Sequence, residues 1–111
     1  MPALLIADID VTDAARYEEY QRQVPAYVAA YDGKFIIRGG RTQVLEGSWP
    51  AHRVVVIEFP SMAKLLAFYD SPQYATLKSL RMHASDSRII AVEEAPAAAA
   101  EGTSSRMTPR G

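Results

Sequence analysis

The chain has 111 residues, of which 49% are hydrophobic and 23% charged, with 12 Lys and Arg against 13 Asp and Glu. This length and composition indicate one globular domain of ordinary make-up. The net charge of −1, without a basic stripe, excludes a nucleic-acid-binding surface of the usual kind. The absence of cysteine excludes disulfides and thiolate nucleophiles and fits a cytoplasmic location. No apolar run approaches the ~18 residues of a membrane span, so no membrane partner is predicted.

The chain begins with a predicted strand over Ala3–Val11, a near-continuous apolar run. Thr12 offers its hydroxyl as the N-cap of the helix that follows. This helix is indicated by apolar residues at steps of three and four, namely Tyr17, Tyr20, Val24, Tyr27 or Val28, and Tyr31. Pro25 has no N–H to donate, so we expect a kink or a restart near Gln23. Gly33 is expected to end the helix in left-handed geometry.

The rest of the chain alternates strand and helix again. Strands are predicted over Lys34–Arg38, Arg53–Phe59 and Ser87–Glu93, with a short extension over Thr42–Glu46. Helices are predicted over Met62–Asp70, after an N-cap at Ser61, and over Gln73–Ala84, after the restart signal Ser71-Pro72. Residues 1–94 thus form one domain, and residues 95–111 have nothing to bury and are predicted to be a disordered C-terminal tail.

The order βαββαβ favours a four-stranded antiparallel sheet with the helices on one face. The strands are nevertheless apolar at both parities, as in V-V-V-I at 54–57 and I-I-A-V at 89–92. Because the helices cover one face only, the other needs a second layer, and we predict a homodimer packed sheet to sheet. The alternative is a monomer with an unusually large exposed apolar patch.

Three long segments carry a resemblance to a known family: F-I-I-R-G-G-R-T-Q-V-L-E-G-S-W-P, R-V-V-V-I-E-F-P-S and Y-D-S-P-Q-Y-A-T-L-K-S-L-R. Over about residues 2–94 the chain resembles DUF1330, a family of small bacterial proteins. The resemblance implies an α+β, ferredoxin-like βαββαβ unit of the dimeric α/β-barrel superfamily, whose two sheets face each other around a barrel. Relatives in that superfamily include cofactor-free monooxygenases, lactone isomerases and haem-handling proteins. The resemblance therefore implies a fold and leaves the chemistry open.

Charged side chains within apolar strands are the candidates for catalysis. Alternation along the strands places Asp8, Arg38 and Glu58 away from the helices, together in the space between two sheets. Two carboxylates and a guanidinium in a partly dry cavity could orient an anionic substrate or adapt a carboxylate to general-base use. The alternative, that Arg38 bridges Asp8 or Glu58 and simply neutralises them, stays open.

Two aromatic residues join Arg38 as predicted ligand-binding residues. Trp49 lies in a Gly-Ser-Trp-Pro loop, where it either covers a pocket or packs on the partner subunit. Tyr69 and Tyr74 flank the Ser71-Pro72 signal and could line the mouth of a pocket, although tyrosines on helix faces are more typical of core packing.

No cofactor or metal is predicted. His52 and His83 lie far apart without metal-site spacing, and each is interpreted as a surface histidine, with haem ligation as a distant alternative. The predicted protein binds or transforms a small aromatic or anionic organic molecule without a cofactor, in a pocket between the sheets. The alternative is a non-catalytic structural or metabolite-sensing dimer, so whether the chain is an enzyme stays open.

Overall fold

A four-stranded antiparallel sheet, covered by helices on one face, makes up residues 1–95, the part of the chain that the computed structural model describes. The elements are β1 (Ala3–Val11), α1 (Ala14–Ala30), β2 (Lys34–Arg38), β3 (Arg53–Phe59), α2 (Met62–Tyr69), α3 (Pro72–Ala84) and β4 (Ser85–Glu93). The predicted α+β, ferredoxin-like arrangement is confirmed, with the second crossover divided into α2 and α3. The predicted tail lies outside the described residues from position 96 onward.

The strand order is β2-β3-β1-β4, and each neighbouring pair is antiparallel. Burial alternates along β1 as far as Ile9, since Ala3, Leu5, Ala7 and Ile9 are buried and the residues between them are not. The buried set faces the helices and forms the core with Phe59, Leu65 and Phe68, among others. The described helices contain no segment long and apolar enough to cross a membrane.

The first helix differs from the prediction at its start and in its middle. Its N-cap is Asp13, whose carboxylate accepts a hydrogen bond from the Arg16 N–H, whereas the predicted cap, Thr12, uses its own N–H to bind the Ala84 carbonyl. The predicted restart near Gln23 is wrong, because α1 continues through Pro25 as one helix. The lost hydrogen bond is compensated by packing, since Val24 and Val28 on either side of the proline are buried.

The turn after α1 differs from the prediction that Gly33 ends the helix in left-handed geometry. Asp32 adopts the left-handed conformation with φ of 63°, while Gly33 does not. Gly33 is required by contact instead, because an added Cβ would lie 2.6 Å from Phe59 Cε2 and 2.8 Å from Val28 Cγ1. The absence of a side chain at Gly33 therefore lets the aromatic core approach the backbone closely.

The last two helices begin at the predicted caps, but their buried faces include an arginine. Ser61 and Ser71 cap α2 and α3 as predicted, each accepting a hydrogen bond from the N–H three residues later. On α2, Leu65 and Phe68 are buried, whereas Leu66 is exposed. On α3 the buried residues are Tyr74, Leu77, Arg81 and Ala84. An arginine therefore occupies a core position.

The segment between β2 and β3 forms no strand, so the predicted extension of the sheet over Thr42–Glu46 is wrong. Gly39, Gly40 and Gly47 all have positive φ, which bends this segment away from the sheet edge. It carries exposed Val44, Leu45 and Trp49 across the side of the sheet that the helices leave uncovered, where it adjoins Ile6 and Val54.

The face opposite the helices is apolar, as the strand pattern predicted. The strand register places Ile90 beside Ile6, and Ile37 beside Val56, on this face, which we call the outer face. Ile37, Ile90 and Val92 are exposed there, with Leu4, Ile6, Val54 and Val56 half-buried.

Changing Gly33→Ala tests the close approach to the core. We expect the free energy of unfolding to fall by about 1–3 kcal/mol, the usual cost of forcing a methyl group into a packed core. The matched control is Asp32→Gly in the same turn, which we expect to change stability by less than about 1 kcal/mol. Denaturant unfolding of both variants measures the difference, and equal midpoints for Gly33→Ala and wild type would contradict this account of the turn.

Candidate functional site

A bulge in β2 determines where Arg38 points. Phe35 pairs with Ile57 and Ile37 pairs with Val56, so one residue of β2, Ile36, has no partner of its own on β3. The extra residue reverses the alternation beyond it. Arg38 consequently pairs with Val55 and lies on the helix side of the sheet, not on the outer face where alternation predicted it.

Asp8 and Glu58 do lie on the outer face, but they are not together. Glu58 pairs with Leu4 in the sheet, four positions along β1 from Asp8, which is a separation of about 13 Å. Glu58 forms an ion pair with Lys34, with Nζ and Oε1 3.6 Å apart. Asp8 accepts hydrogen bonds from the His52 N–H at 2.8 Å and from Arg88 at 3.2 Å. Within one chain, the predicted Asp8–Arg38–Glu58 constellation is therefore wrong as geometry, and Arg38 is not the counter-ion of either carboxylate.

An enclosed cavity lies between the sheet and the helices, and we call it the helix-side cavity. Its walls come from all four strands and all three helices: Leu5, Ala7, Ile9, Tyr17, Tyr20, Gln21, Val24, Phe35, Arg38, Arg53, Val55, Ile57, Phe68, Tyr69, Tyr74, Arg81 and Ile89. The empty volume out to its mouth is about 520 Å³, of which the centre of a water molecule can occupy about 30 Å³. In this conformation there is room for about two waters.

Arg81 is the most unusual residue of the cavity wall. Its side chain extends from the inward face of α3, and the residue is only 3% exposed. Its Nε and Nη2 atoms are buried and have no hydrogen-bond partner among residues 1–95. Burial acts to lower the pKa of Arg81, but the neighbouring Tyr74 and Tyr20 outweigh it and the pKa is raised. The cavity therefore contains a buried positive charge with unused donors.

Two tyrosine hydroxyls meet beside this guanidinium. Tyr20 of α1 and Tyr74 of α3 share a hydrogen bond of 2.8 Å, and both residues are buried. Burial is the largest cause that raises the pKa of Tyr20, followed by the proximity of Tyr74. Both effects favour the protonated phenol. The pair can donate a hydrogen bond to a bound group, whereas Tyr20 is poorly suited to give up its proton, because its ionised form is disfavoured.

Two further arginines lie on the sheet side of the cavity. Arg53 donates from Nη2 to the Arg38 carbonyl at 3.2 Å, while its Nε is buried without a partner. The guanidinium of Arg38 stacks over the Phe35 ring, 4.3 Å from the ring centre. No Asp or Glu lines this cavity of the described chain. Its electrostatic character is therefore cationic within an apolar, aromatic wall.

The predicted ligand-binding residues divide between the two faces of the sheet. Arg38 and Tyr69 line the helix-side cavity. Trp49 does not, since it is 60% exposed and borders a groove over Ile6 and Val54 on the outer face. That position fits the interpretation of Trp49 as a residue of a subunit interface better than that of a lid over the cavity.

Sequence reasoning missed Arg81, Arg53 and the pairing of Tyr20 with Tyr74. A signal for Arg81 was present, because it follows Tyr74 by seven residues and Leu77 by four, the spacing of one helix face. Arginine at such a position is usually taken to reach solvent. Nothing in the spacing of Tyr20 and Tyr74, 54 residues apart, indicated that their hydroxyls meet.

Metal-ligating side chains do not gather within residues 1–95 into a group of three that could hold an ion. The ring nitrogens of His52 lie 3.9 Å from a carboxylate oxygen of Asp8 and 3.7 Å from one of Asp10, on the rim of the outer face. His83 bonds the Ser79 carbonyl of its own helix. The absence of a cofactor stays a prediction.

The sequence model of a family described as "Domain of unknown function (DUF1330)" matches residues 2–95. The chain therefore belongs to the DUF1330 family, which confirms the resemblance found in its sequence. No curated protein matches the chain.

Solved structures of other proteins share the fold of this chain. A protein of unknown function from Rhodopseudomonas palustris is 22% identical, with a TM-score of 0.69 over 86% of this chain and 83% of that one. A dimeric ferredoxin-like protein of unknown function from Jannaschia sp. CCS1 is 12% identical, with a TM-score of 0.66 over 85% and 100%. SnoaB, a cofactor-independent oxygenase from Streptomyces nogalater, is 12% identical, with a TM-score of 0.58 over 86% and 94%. At these identities the likeness shows the fold.

The tyrosine pair predicts a non-additive mutational effect on stability. Tyr20→Phe or Tyr74→Phe alone leaves a buried hydroxyl without its partner and should cost about 1–3 kcal/mol of unfolding free energy. The double change removes both hydroxyls and should cost less than the sum. Denaturant unfolding provides the measurement, with Tyr27→Phe as the control, since the Tyr27 hydroxyl has no hydrogen bond within the described residues. Additive costs would show that the two hydroxyls do not depend on each other.

Proposed function

We propose that this DUF1330 protein binds a small aromatic organic anion in its helix-side cavity. The observation that carries the proposal is Arg81, a charged residue that is 3% exposed, lines this cavity and has two buried donor atoms without a partner among residues 1–95. This location replaces the pocket between sheets that the sequence suggested.

The energetics of buried charge favour an anionic ligand. A guanidinium taken out of water loses its hydration, and the loss is offset only where an opposite charge or good acceptors replace it. Two waters can supply some acceptors, but they supply no charge. A carboxylate or phenolate supplies both, and a carboxylate matches the fork of an arginine with two parallel hydrogen bonds.

The aromatic wall favours a ring as the body of the ligand. Rings from both layers line the cavity, namely Tyr17, Tyr20, Phe35, Phe68, Tyr69 and Tyr74. Such rings pack well on a flat ligand in offset or edge-on contacts. Because the space is narrow, entry requires movement at the mouth, where exposed Arg38 rests on Phe35 and is the side chain with the most freedom.

Transformation of the bound anion without a cofactor is a second candidate function. The observation that favours it is the placement of neutral phenol donors beside Arg81, because such groups stabilise negative charge that develops on an oxygen during a reaction. The fold of the cofactor-independent oxygenase SnoaB gives general support. The competing proposal is a module that binds a metabolite without reacting. Product formation from a ligand that binds would separate the two.

We also propose that two copies pack through their outer faces into a dimeric barrel in the cytoplasm. Exposed Ile37, Ile90 and Val92 would be costly to leave in water, and a second sheet is the layer that fits them. Trp49 and Leu45 lie at the margin of this face and would add contacts to the partner. The solved Jannaschia protein, described as dimeric and ferredoxin-like, supports this assembly.

Replacing Arg81 tests the binding proposal. We expect benzoate and related aromatic acids to raise the melting temperature of the wild type, to raise that of Arg81→Lys less because the two-pronged donor is lost, and to leave Arg81→Met unchanged. Without ligand, Arg81→Met should fold with a melting temperature close to that of the wild type, because the change removes both the desolvation cost of the guanidinium and its favourable interactions with Tyr74 and Tyr20.

The control for the Arg81 series is Arg22→Met, at an exposed position of α1, which should respond to the acids like the wild type. A panel of aromatic acids that stabilises none of the forms, combined with a large loss of stability in Arg81→Met, would contradict the proposal and make Arg81 a structural residue hydrated by waters.

The dimer is tested at Ile90. Ile90→Asp places a charge on the outer face, beside Ile6 of the central strand β1, and should convert the dimer to a monomer at micromolar concentration, as measured by sedimentation velocity. Met82→Asp is the matched control, since Met82 and Ile90 are both 60% exposed but Met82 lies on α3, away from that face. A monomeric wild type, or equal behaviour of the two variants, would refute this interface. The single tryptophan, Trp49, should show a spectral shift on dissociation.

A further inference from the structure

We infer that the ligand of the helix-side cavity carries two acidic groups, at opposite ends of its aromatic ring. This inference rests on the proposed function of the same cavity and narrows its ligand to a class, the para-substituted aromatic diacids. Three observations carry it: the number of cations around the cavity, the donors that each leaves unused, and the positions of these cations across the sheet.

The charge around the cavity exceeds what one acid can neutralise. Arg38, Arg53 and Arg81 all line it, and no Asp or Glu does. None of the three forms an ion pair within residues 1–95, whereas Arg16 and Arg88 each pair with an aspartate. One carboxylate would therefore compensate one of the three positive charges, and a second would compensate two, leaving one that solvent can screen, because Arg38 is exposed.

Each side of the cavity has donors for an acid of its own. On the helix side, Nε and Nη2 of Arg81 are buried without a partner. On the sheet side, Nε of Arg53 is likewise buried and unused, although its Nη2 is engaged by the Arg38 carbonyl. Within the described residues, the guanidinium of Arg38 contacts only the face of the Phe35 ring. An unused buried donor on both sides is difficult to explain by a monoacid.

The strand order separates the two groups of donors. Arg81 lies beside the start of β4, since the Ser85 hydroxyl donates to its carbonyl at 2.7 Å. Arg53 is on β3 and Arg38 on β2, two and three strands away in the order β2-β3-β1-β4. At about 4.8 Å per strand, the backbones are roughly 10–14 Å apart. Because the arginine side chains reach inward from both ends, the remaining gap suits two acidic groups at opposite positions of an aromatic ring better than two on neighbouring ring carbons.

The experiment compares benzoate, benzene-1,4-dicarboxylate and benzene-1,2-dicarboxylate by calorimetric titration of the full chain. We expect the 1,4-diacid to bind at least about tenfold more tightly than benzoate, the gain typical of one charge-assisted hydrogen-bonded contact. The 1,2-diacid has the same charge with the wrong spacing and should gain less than about twofold, which controls for general attraction to a cationic site.

Variants then identify the residue that binds the second acid. Arg53→Gln should reduce the ratio of 1,4-diacid to benzoate affinity to within about twofold, and Arg38→Gln, at an exposed position where folding is little affected, should reduce it in the same direction. Arg22→Gln, an exposed arginine outside the cavity, should leave the ratio unchanged.

The outcomes distinguish this inference from the proposed function. Equal affinities for all three acids, or a 1,4-diacid preference that survives both Arg53→Gln and Arg38→Gln, would overturn the diacid inference while aromatic anion binding stands. Failure of every acid to bind would overturn both. A 1,2-diacid that binds as tightly as the 1,4-diacid would show attraction by charge alone and would also overturn the inference.

Discussion

Alternation of side chains along the strands decides which residues of this protein can meet. On β1 the buried residues Ala3, Leu5, Ala7 and Ile9 face the helices, and each residue between them faces the other way. The same parity continues through the antiparallel register into β3 and β4. The core, the outer face and the walls of the cavity are therefore consequences of one geometric rule, and a single extra residue in a strand is enough to move a charge from one face to the other.

Ile36 is the extra residue at the bulge of β2, and its insertion changes the charge on both faces of the sheet. Without it, Arg38 would stand on the outer face, with Asp8 and Glu58. With it, the outer face retains carboxylates that find local partners in Arg88 and Lys34, and the helix side gains a third arginine. The cationic character of the cavity depends on this irregularity as well as on the amino acids themselves.

Arg81 shows how a fold can tolerate an unpaired buried charge. It lies in the last turn of α3, where the negative end of the helix dipole favours a positive charge. The hydroxyl oxygens of Tyr20 and Tyr74 lie near it. These contributions lower the cost of its burial without using Nε and Nη2. The site can therefore exist in the free protein and still retain capacity to bind an anion.

The strands, helices and sheet order could be predicted because they depend on local patterns. Val54–Phe59 and Leu4–Ala7 are apolar runs of strand length, and Ser61 and Ser71 are cap residues that act within three positions. The cap of α1 was harder, since Thr12 and Asp13 are both good caps and the choice depends on the Ala84 carbonyl, far along the chain. The family resemblance supported the same fold independently of these patterns.

The site could not be predicted in the same way, because its geometry depends on registers and distant contacts. A bulge leaves little mark on a run such as K-F-I-I-R, so Arg38 was assigned to the wrong face. A buried arginine has the same sequence appearance as a solvated one, so Arg81 was not considered. Tyr69 does line the cavity, and its position beside the Ser71-Pro72 restart is a local property, but its role in ligand binding stays a prediction.

The two faces of the sheet, finally, are joined by the segment that follows Arg38. The Gly39 N–H donates to the Val54 carbonyl at 2.8 Å, and Arg53 donates to the Arg38 carbonyl, so the chain is anchored where it leaves the sheet. Within the next 11 residues it has passed from the mouth of the helix-side cavity to the outer face, where it presents Leu45 and Trp49. A partner that packs on this segment would restrain the backbone of Arg38 at the mouth of the cavity. Dimer formation and ligand binding, although they use opposite faces, would thus act on adjacent residues of one short connection.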